Sequence, residues 1–335
     1  MKIRIATRRS KLALTQTRWV ADRIRAHTPD VTIEEVHVET KGDRIQDRPL
    51  AAVGGKGLFV AEVEAMLVAG DADLAVHSLK DVPGDVDLAD GFDILCVPER
   101  EDPRDVLLTR AGEELDALEA ATRVGTTSLR RMCQLRTRRP DLAYVTLRGN
   151  VDTRLRKLDE GQYGAIVLAA AGLKRLGLLA RRPHWPIPPE VSLPAVGQGT
   201  LAIEGRFDDV GLRRLLAPFE HGPTRILTEA ERTMLRRLQG SCRVPIAGHA
   251  RRSADGQRLA LEGIVGSLDG EIILQAASER YLTGRRHQDH VAAAQDLGAE
   301  VADALIDRGA RKLMREAEAA FMRNEHQGNG GGTWT

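Results

Sequence analysis

The chain has 335 residues, 42% of them hydrophobic and 29% charged, a globular composition with enough length for two or three cores. A net charge of +1 and only 3% aromatic residues leave no global basic field for nucleic acid or anionic lipid and few stacking platforms for bases. Cys96, Cys133 and Cys242 are odd in number and far apart, which fits reduced thiols and neither a disulfide framework nor a CxxC site. No apolar run reaches the length of a bilayer span. The basic stretch from Met1 to Ser10 lacks the apolar centre of a signal peptide. Both observations predict a cytoplasmic protein without a membrane partner.

Ile3 and Ile5 alternate with Arg4 in a first strand, and Ser10 caps a helix with Ala13, Thr17, Val20, Ala21 and Ile24 along one face. Val31 to Val38 is a second strand. The glycine-rich loop Gly54-Gly55-Lys56-Gly57 leads into a helix carrying Val60, Val63 and Leu67. The run Asp73 to Pro83 then breaks from apolar Leu74–Val76 into His77, Ser78, Lys80 and Asp81, and Pro83 stops regular structure. It reads as a buried strand that delivers a lysine and an aspartate to one place, beyond the carboxyl end of a sheet where α/β folds bind ligands. The plainer alternative is a solvated turn in which Lys80 and Asp81 form one salt bridge.

After Phe92–Val97 and a charged connector over 99–105 the pattern restarts. Arg123–Gly125, Tyr144–Leu147 and Ala165–Ala169 read as strands; Ser128 caps a helix to about Arg139, and Asn150 starts another. Pro183 to Pro194 closes this unit, and Leu201–Ile203 reads as a strand returning to the first domain. The βαβ order predicts largely parallel sheets in two doubly wound domains that form a clamp around a cleft. The last third predicts a helix from Pro223 to Leu238 capped by Gly240. A hairpin at Asp269-Gly270 and one long helix over 291–321 follow. The predicted domains are 1–99 with 200–217, 104–194, and a small α+β unit over 222–322, followed by a disordered tail at 323–335.

Arginines recur at strand-to-helix turns: Arg8, Arg130, Arg131, Arg148, Arg154 and Arg175. Helix starts favour anions, and guanidinium groups pair two-pronged with carboxylate or phosphate. Any one of them alone reads better as a solvated helix residue; the set reads as a polyanion-binding cleft. An aspartate among them remains ionised and is suited to stabilising a cation or moving a proton. Cys242, on the turn Gly240-Ser241-Cys242-Arg243, is the accessible thiol, whereas Cys96 and Cys133 read as buried. Neither GxGxxG nor GxxxxGK[ST] is present, and His287 and His290 lack a third ligand, so no nucleotide fingerprint or metal is expected.

These residues resemble the porphobilinogen deaminase (hydroxymethylbilane synthase) family from Arg4 to about Arg315. The resemblance is carried by Arg-Ile-Ala-Thr-Arg at 4–8, Val-Gly-Gly-Lys-Gly-Leu-Phe at 53–59 and Ala-Val-His-Ser-Leu-Lys-Asp-Val-Pro at 75–83. Glu-Arg-Glu-Asp-Pro-Arg-Asp at 99–105, Ser-Leu-Arg-Arg at 128–131, Leu-Arg-Gly-Asn-Val at 147–151, Ala-Gly-Leu-Lys-Arg-Leu-Gly at 171–177 and Leu-Pro-Ala-Val-Gly-Gln-Gly at 193–199 extend it. Glu231-Arg232 through Gly240-Ser241-Cys242 to Pro245 completes it.

The resemblance implies a monomeric three-domain transferase with a periplasmic-binding-protein-like clamp. It implies head-to-tail joining of four porphobilinogen molecules, with loss of ammonia, in haem and other tetrapyrrole synthesis. It further implies one dipyrromethane cofactor per subunit on Cys242 by a thioether, with Asp81 as the central catalytic group beside Lys80. Arg130, Arg131 and Ser128 fall to the cofactor, as do Lys80 and Asp81; Arg8, Ser10, Arg148, Arg154 and Arg175 fall to the substrate carboxylates. Lys56 and Phe59 belong to a mobile cleft-covering loop. The chain departs from many relatives at Ala52, where they carry a second lysine, and at Ser241, where glycine is more frequent. The competing functions are a two-lobed anion receptor and a phosphate- or nucleic-acid-binding protein. Cys242 and the third domain argue against the first, neutral charge and scarce aromatics against the second.

Overall fold

The computed structural model describes residues 1–40, 60–84, 88–241 and 243–326. Its first sheet contains β1 (Lys2–Arg8), β2 (Thr32–Val38), β3 (Leu74–Ser78), β4 (Phe92–Cys96) and β10 (Leu201–Arg206), ordered β2-β1-β3-β10-β4. Ile3 and Ile5 of β1 are fully buried against Val20 and Ile24 of α1 (Lys11–His27), so the alternation seen in the sequence becomes the inner face of a layer. Ser10 caps α1, its Oγ accepting from Ala13 N at 3.3 Å. A shorter helix, α2 (Ala61–Val68), covers the other face with Val63 and Leu67.

The second sheet contains β5 (Asp105–Leu108), β6 (Arg123–Gly125), β7 (Ala143–Val145), β8 (Ala165–Ala169) and β9 (Trp185–Pro186), ordered β7-β6-β8-β5-β9. Its helices are α3 (Leu129–Arg138), α4 (Val151–Asp159) and α5 (Ala170–Arg175). Four of the five strands in each sheet run the same way, as the expectation of largely parallel sheets has it, and one strand in each is reversed. β10 runs antiparallel to β3 and β4, and β5 antiparallel to β8 and β9. The reversed strands follow from the connectivity: β10 enters the middle of the first sheet only after the second is complete. The chain therefore crosses between the sheets twice, at 97–104 and 194–200. β5 begins at Asp105, the last residue of the expected connector, and continues through residues not expected to form a strand; its Asp105-Val106-Leu107-Leu108 is completely buried.

α6 (Val210–Leu216) returns to the first sheet, burying Leu212 and Leu216 in its core. The third unit follows: α7 (Gly222–Leu238), the antiparallel sheet β11 (Ile246–Arg252), β12 (Arg258–Gly266) and β13 (Ile273–Tyr281), then α8 (His287–Asp307) and α9 (Ala310–His326). Ala230 and Met234 of α7, Leu297 and Val301 of α8, and Leu259 and Leu261 of β12 form its core. Two expectations are corrected here. The residue in left-handed conformation at the end of α7 is Gln239 (φ 57°), one before Gly240. The single helix expected over 291–321 is two, because Gly309 (φ 98°) leaves the helical region between α8 and α9. Residues 323–326, read from the sequence as tail, continue α9, and 327–335 lie outside the described residues.

Candidate active site

β3 ends at Ser78 and the chain turns through a single 3₁₀ turn, Leu79–Asp81. Leu79 is 1% exposed and its N–H donates to Thr200 O at 2.9 Å, so the turn is nailed down by its apolar residue while Asp81 projects to solvent. Among the described residues no donor hydrogen-bonds the Asp81 carboxylate. Asp81 lines a cleft with Arg8, Ser10, Gln16, His77 and Ser78, at the carboxyl ends of β1 and β3. Gln16 Nε2 donates to Ser78 Oγ at 3.0 Å. Below the cleft, His77 Nε2 meets Glu204 Oε2 at 2.9 Å with both side chains buried.

Lys80 and Asp81 do not form the salt bridge that the plainer sequence reading allows. Lys80 Nζ donates to Gln198 Oε1 at 3.3 Å, and Gln198 Nε2 donates onward to Pro103 O at 2.7 Å and Asp105 Oδ1 at 2.9 Å. Asp105 holds the two arginines of α3: Arg131 at 2.7 Å and Arg130 at 2.8 Å. Their other contacts are backbone carbonyls, Leu193 O for Arg130 and Val167 O for Arg131. Burial lowers the Lys80 pKa to about 8; Arg131 and Arg130 add to this, and Asp81 and Asp105 oppose it. Against its own burial, Asp105 is held well below the usual carboxylate range by Arg130 and Arg131.

Farther along, cations outnumber anions. Burial, with Arg131 and Arg148 adding like charge, pushes Arg154 down to about 10, and its Nε donates to the local Gly149 O at 2.7 Å. Arg131 Nε is buried without a hydrogen-bond partner. Burial also takes Arg175 to about 10, where it donates to Gly199 O at 2.7 Å on the return crossing. A buried cluster of guanidinium groups around one carboxylate is satisfied by an added anion, so these residues fit a carboxylate-bearing group such as dipyrromethane. Ser10 and Ser128 act as helix caps, Ser128 Oγ accepting from Arg131 N at 3.4 Å; the cap orients the helix start that carries the arginines.

Three expected site residues, Lys56, Phe59 and Cys242, lie outside the described residues, as does Ala52. The chain on either side of Cys242 is described: Ser241 Oγ donates to Glu318 Oε1 of α9 at 2.9 Å and accepts from Arg243 N at 3.3 Å. The departure from glycine at 241 thus adds a tie between the turn and α9. Burial pushes the Cys96 and Cys133 thiols up to about 12, which leaves them inert, in line with their expected burial. Sequence reasoning missed Gln198, Asp105 and Gln16. Gln198 and Asp105 sit inside motifs quoted for the resemblance, but nothing in their spacing says that they meet.

Fold and site define a class: a two-lobed α/β clamp enzyme whose cleft sets an exposed carboxylate and a lysine beside clustered arginines, backed by a third domain. The family model described as porphobilinogen deaminase, dipyromethane cofactor binding domain, matches residues 3–214, and that of the porphobilinogen deaminase C-terminal domain matches 226–307. The chain belongs to the porphobilinogen deaminase family. It is a transferase of tetrapyrrole biosynthesis that makes hydroxymethylbilane from porphobilinogen and uses a dipyrromethane cofactor.

Solved structures similar to part of the chain include a sulfate-bound mutant of the OxyR2 regulatory domain from Vibrio vulnificus (13% identity, TM-score 0.40, covering 65% of this chain and 96% of that one). Others are an amino-acid ABC transporter extracellular-binding protein from Bacillus subtilis (7%, 0.38, 65% and 89%) and the substrate binding domain of a putative molybdenum ABC transporter from Clostridium difficile (8%, 0.40, 67% and 94%). No helix among the described residues is long and apolar enough to cross a membrane.

Proposed function

We propose that Asp81 is the central catalytic group of this reaction, assisted by Lys80, and that the arginine cluster holds the carboxylates of cofactor and substrate. In this reading Arg130, Arg131 and Ser128 serve the cofactor. Arg8, Ser10, Arg148, Arg154 and Arg175 serve the substrate, Lys56 and Phe59 cover the cleft, and Cys242 is the covalent attachment point. The observation that carries the reading is the clustering of largely buried arginines, Arg130, Arg131 and Arg154, together with an exposed Asp81 carboxylate that no donor among the described residues hydrogen-bonds.

Dipyrromethane, when bound, supplies the free α-carbon at which the first substrate unit is joined. The arginines orient the acetate and propionate groups that each unit brings, which fixes the ring relative to Asp81. The Asp81 carboxylate accepts the pyrrole N–H and stabilises the positive charge that develops on that nitrogen as ammonia leaves; it then takes part in removing the ring proton. Lys80, tied through Gln198 to Asp105, holds a positive charge beside Asp81.

The chain divides into domains over 1–99 with 200–217, 104–194 and 222–322. It works as a cytoplasmic monomer without nucleic-acid or membrane partners, a reading supported by its near-neutral charge. Asp81→Asn tests the proposal: folding and cofactor mass are retained while turnover of porphobilinogen falls about a hundredfold or more, the scale of a lost preorganised charge. Turnover within a few-fold of the parent removes Asp81 from this role.

A further inference from the structure

The residues just beyond Asp81 are held from the third domain. Arg232, in the middle of α7, donates through Nη1 to Val82 O at 3.2 Å and through Nη2 to Pro83 O at 3.3 Å. These are the two carbonyls that directly follow Asp81, and no backbone N–H among the described residues serves either. One turn further along α7, Leu235 lies against Gly84 so closely that a Cβ there would meet Leu235 Cδ2 at 2.5 Å. Val82 to Gly84 therefore lie against α7, held by a guanidinium fork at 82–83 and by a leucine at 84.

We propose that Arg232 is a positioning residue that keeps the Asp81 turn in register with the helix leading to the cofactor cysteine. Two further observations support it. Among the described residues no carboxylate hydrogen-bonds Arg232; its charge is buried enough to bring its pKa to about 10, with Arg236 adding to the shift. A buried cation spent on two carbonyls is a costly fastening unless their placement matters. Its neighbour Glu231 lies about 100° around the helix and fastens α7 elsewhere, to Arg100 at 2.6 Å and Gly197 N at 2.7 Å on the two crossings. α7 is thus pinned to the crossings by one residue and grips the Asp81 loop with the next, while its C-terminal end runs into the turn of Cys242.

The inference rests on the reading that Asp81 reacts and Cys242 carries the cofactor. Its physical content is that a displacement of about 1 Å at the reacting group costs on the order of a hundredfold in rate without any lost substrate contact. The experiment compares purified full-length Arg232→Leu, Arg232→Lys and Gly84→Ala with the parent. Cofactor loading is measured by intact mass, melting temperature by calorimetry, and kcat and KM with porphobilinogen.

The expected result is a loaded protein in which Arg232→Leu lowers kcat by about ten- to a hundredfold with KM within about twofold. Arg232→Lys restores only part of kcat, because an ammonium does not reproduce the two-pronged contact. Gly84→Ala lowers kcat with Arg232 intact, because it lifts the same loop from α7. A loaded Arg232→Leu protein with kcat near the parent, or with the whole loss in KM, overturns the proposal. If Arg232→Leu does not fold or load, the other two variants decide by the same criteria. Full activity of Asp81→Asn is a separate result that overturns the underlying reading of Asp81.

Discussion

Lys80 is the residue at which charge and position meet most closely. Its ammonium shares one neighbourhood with Asp81, Asp105, Arg130 and Arg131, and burial brings its pKa from 10.5 to about 8. Because the folded value is depressed, the side chain is charged below about pH 8 and neutral above it. If the charge supports catalysis, kcat/KM falls on an alkaline limb near pH 8, and Lys80→Arg moves that limb upward; a limb unmoved by the substitution belongs to another group. The stability effect has the opposite sense. The cost of burying the charge is fully present below pH 8 and is relieved as pH rises from about 8 to 10.5, where the folded state alone has released its proton.

The sequence makes Lys80 and Asp81 legible because a buried strand stopped by Pro83 has one place to deliver them. Asp105 and Gln198 are not legible in this way. Their meeting depends on two crossings brought together from 93 residues apart, and neither local period nor composition records such a distance.

Secondary-structure elements show the same division. α1 and α3 begin where Ser10 and Ser128 predict, since capping is a local matter, and α4 begins after Asn150 as expected although Asn150 makes no side-chain cap bond. β8 and β6 match the predicted spans, because short apolar runs between turn signals are also local. β5 was hidden by the charges before it: Asp105 is buried in a strand where Arg130 and Arg131, reaching down from α3, neutralise it. The break between α8 and α9 was hidden by an amphipathic pattern that continues through it. At Gly309 a Cβ would meet no atom within 4 Å, yet φ is 98°. Gly309→Ala is therefore expected to cost about 1–2 kcal/mol from backbone conformation alone, read as a lower urea midpoint. An unchanged midpoint contradicts the assignment of the break to backbone conformation.

At the scale of the whole molecule, Glu231 binds the parts into one body. Its fully buried carboxylate accepts from Arg100 at 2.6 Å on the first crossing, Gly197 N at 2.7 Å on the second and Ala250 N at 2.8 Å in β11. Against burial, Arg100 and then His249 hold its pKa at about 2. Glu231→Ala leaves Arg100 buried without its partner, and the expected loss is about 3–5 kcal/mol in equilibrium unfolding. A loss under 1 kcal/mol contradicts the view that this carboxylate holds the crossings to the third domain. The clamp itself was readable as two βα units joined by crossings; the strand reversals and the grip of α7 on the Asp81 loop were not, because both are tertiary.

The account turns on a chain of pyrroles built from Cys242 toward Asp81. Intact mass of the purified protein, followed by peptide mapping, tests this most directly. The predicted result is an added mass of two linked pyrrole units located on Cys242 and absent from Cys242→Ser, with further single-unit increments after brief exposure to porphobilinogen. A protein that turns over porphobilinogen with Cys242 unmodified contradicts the account.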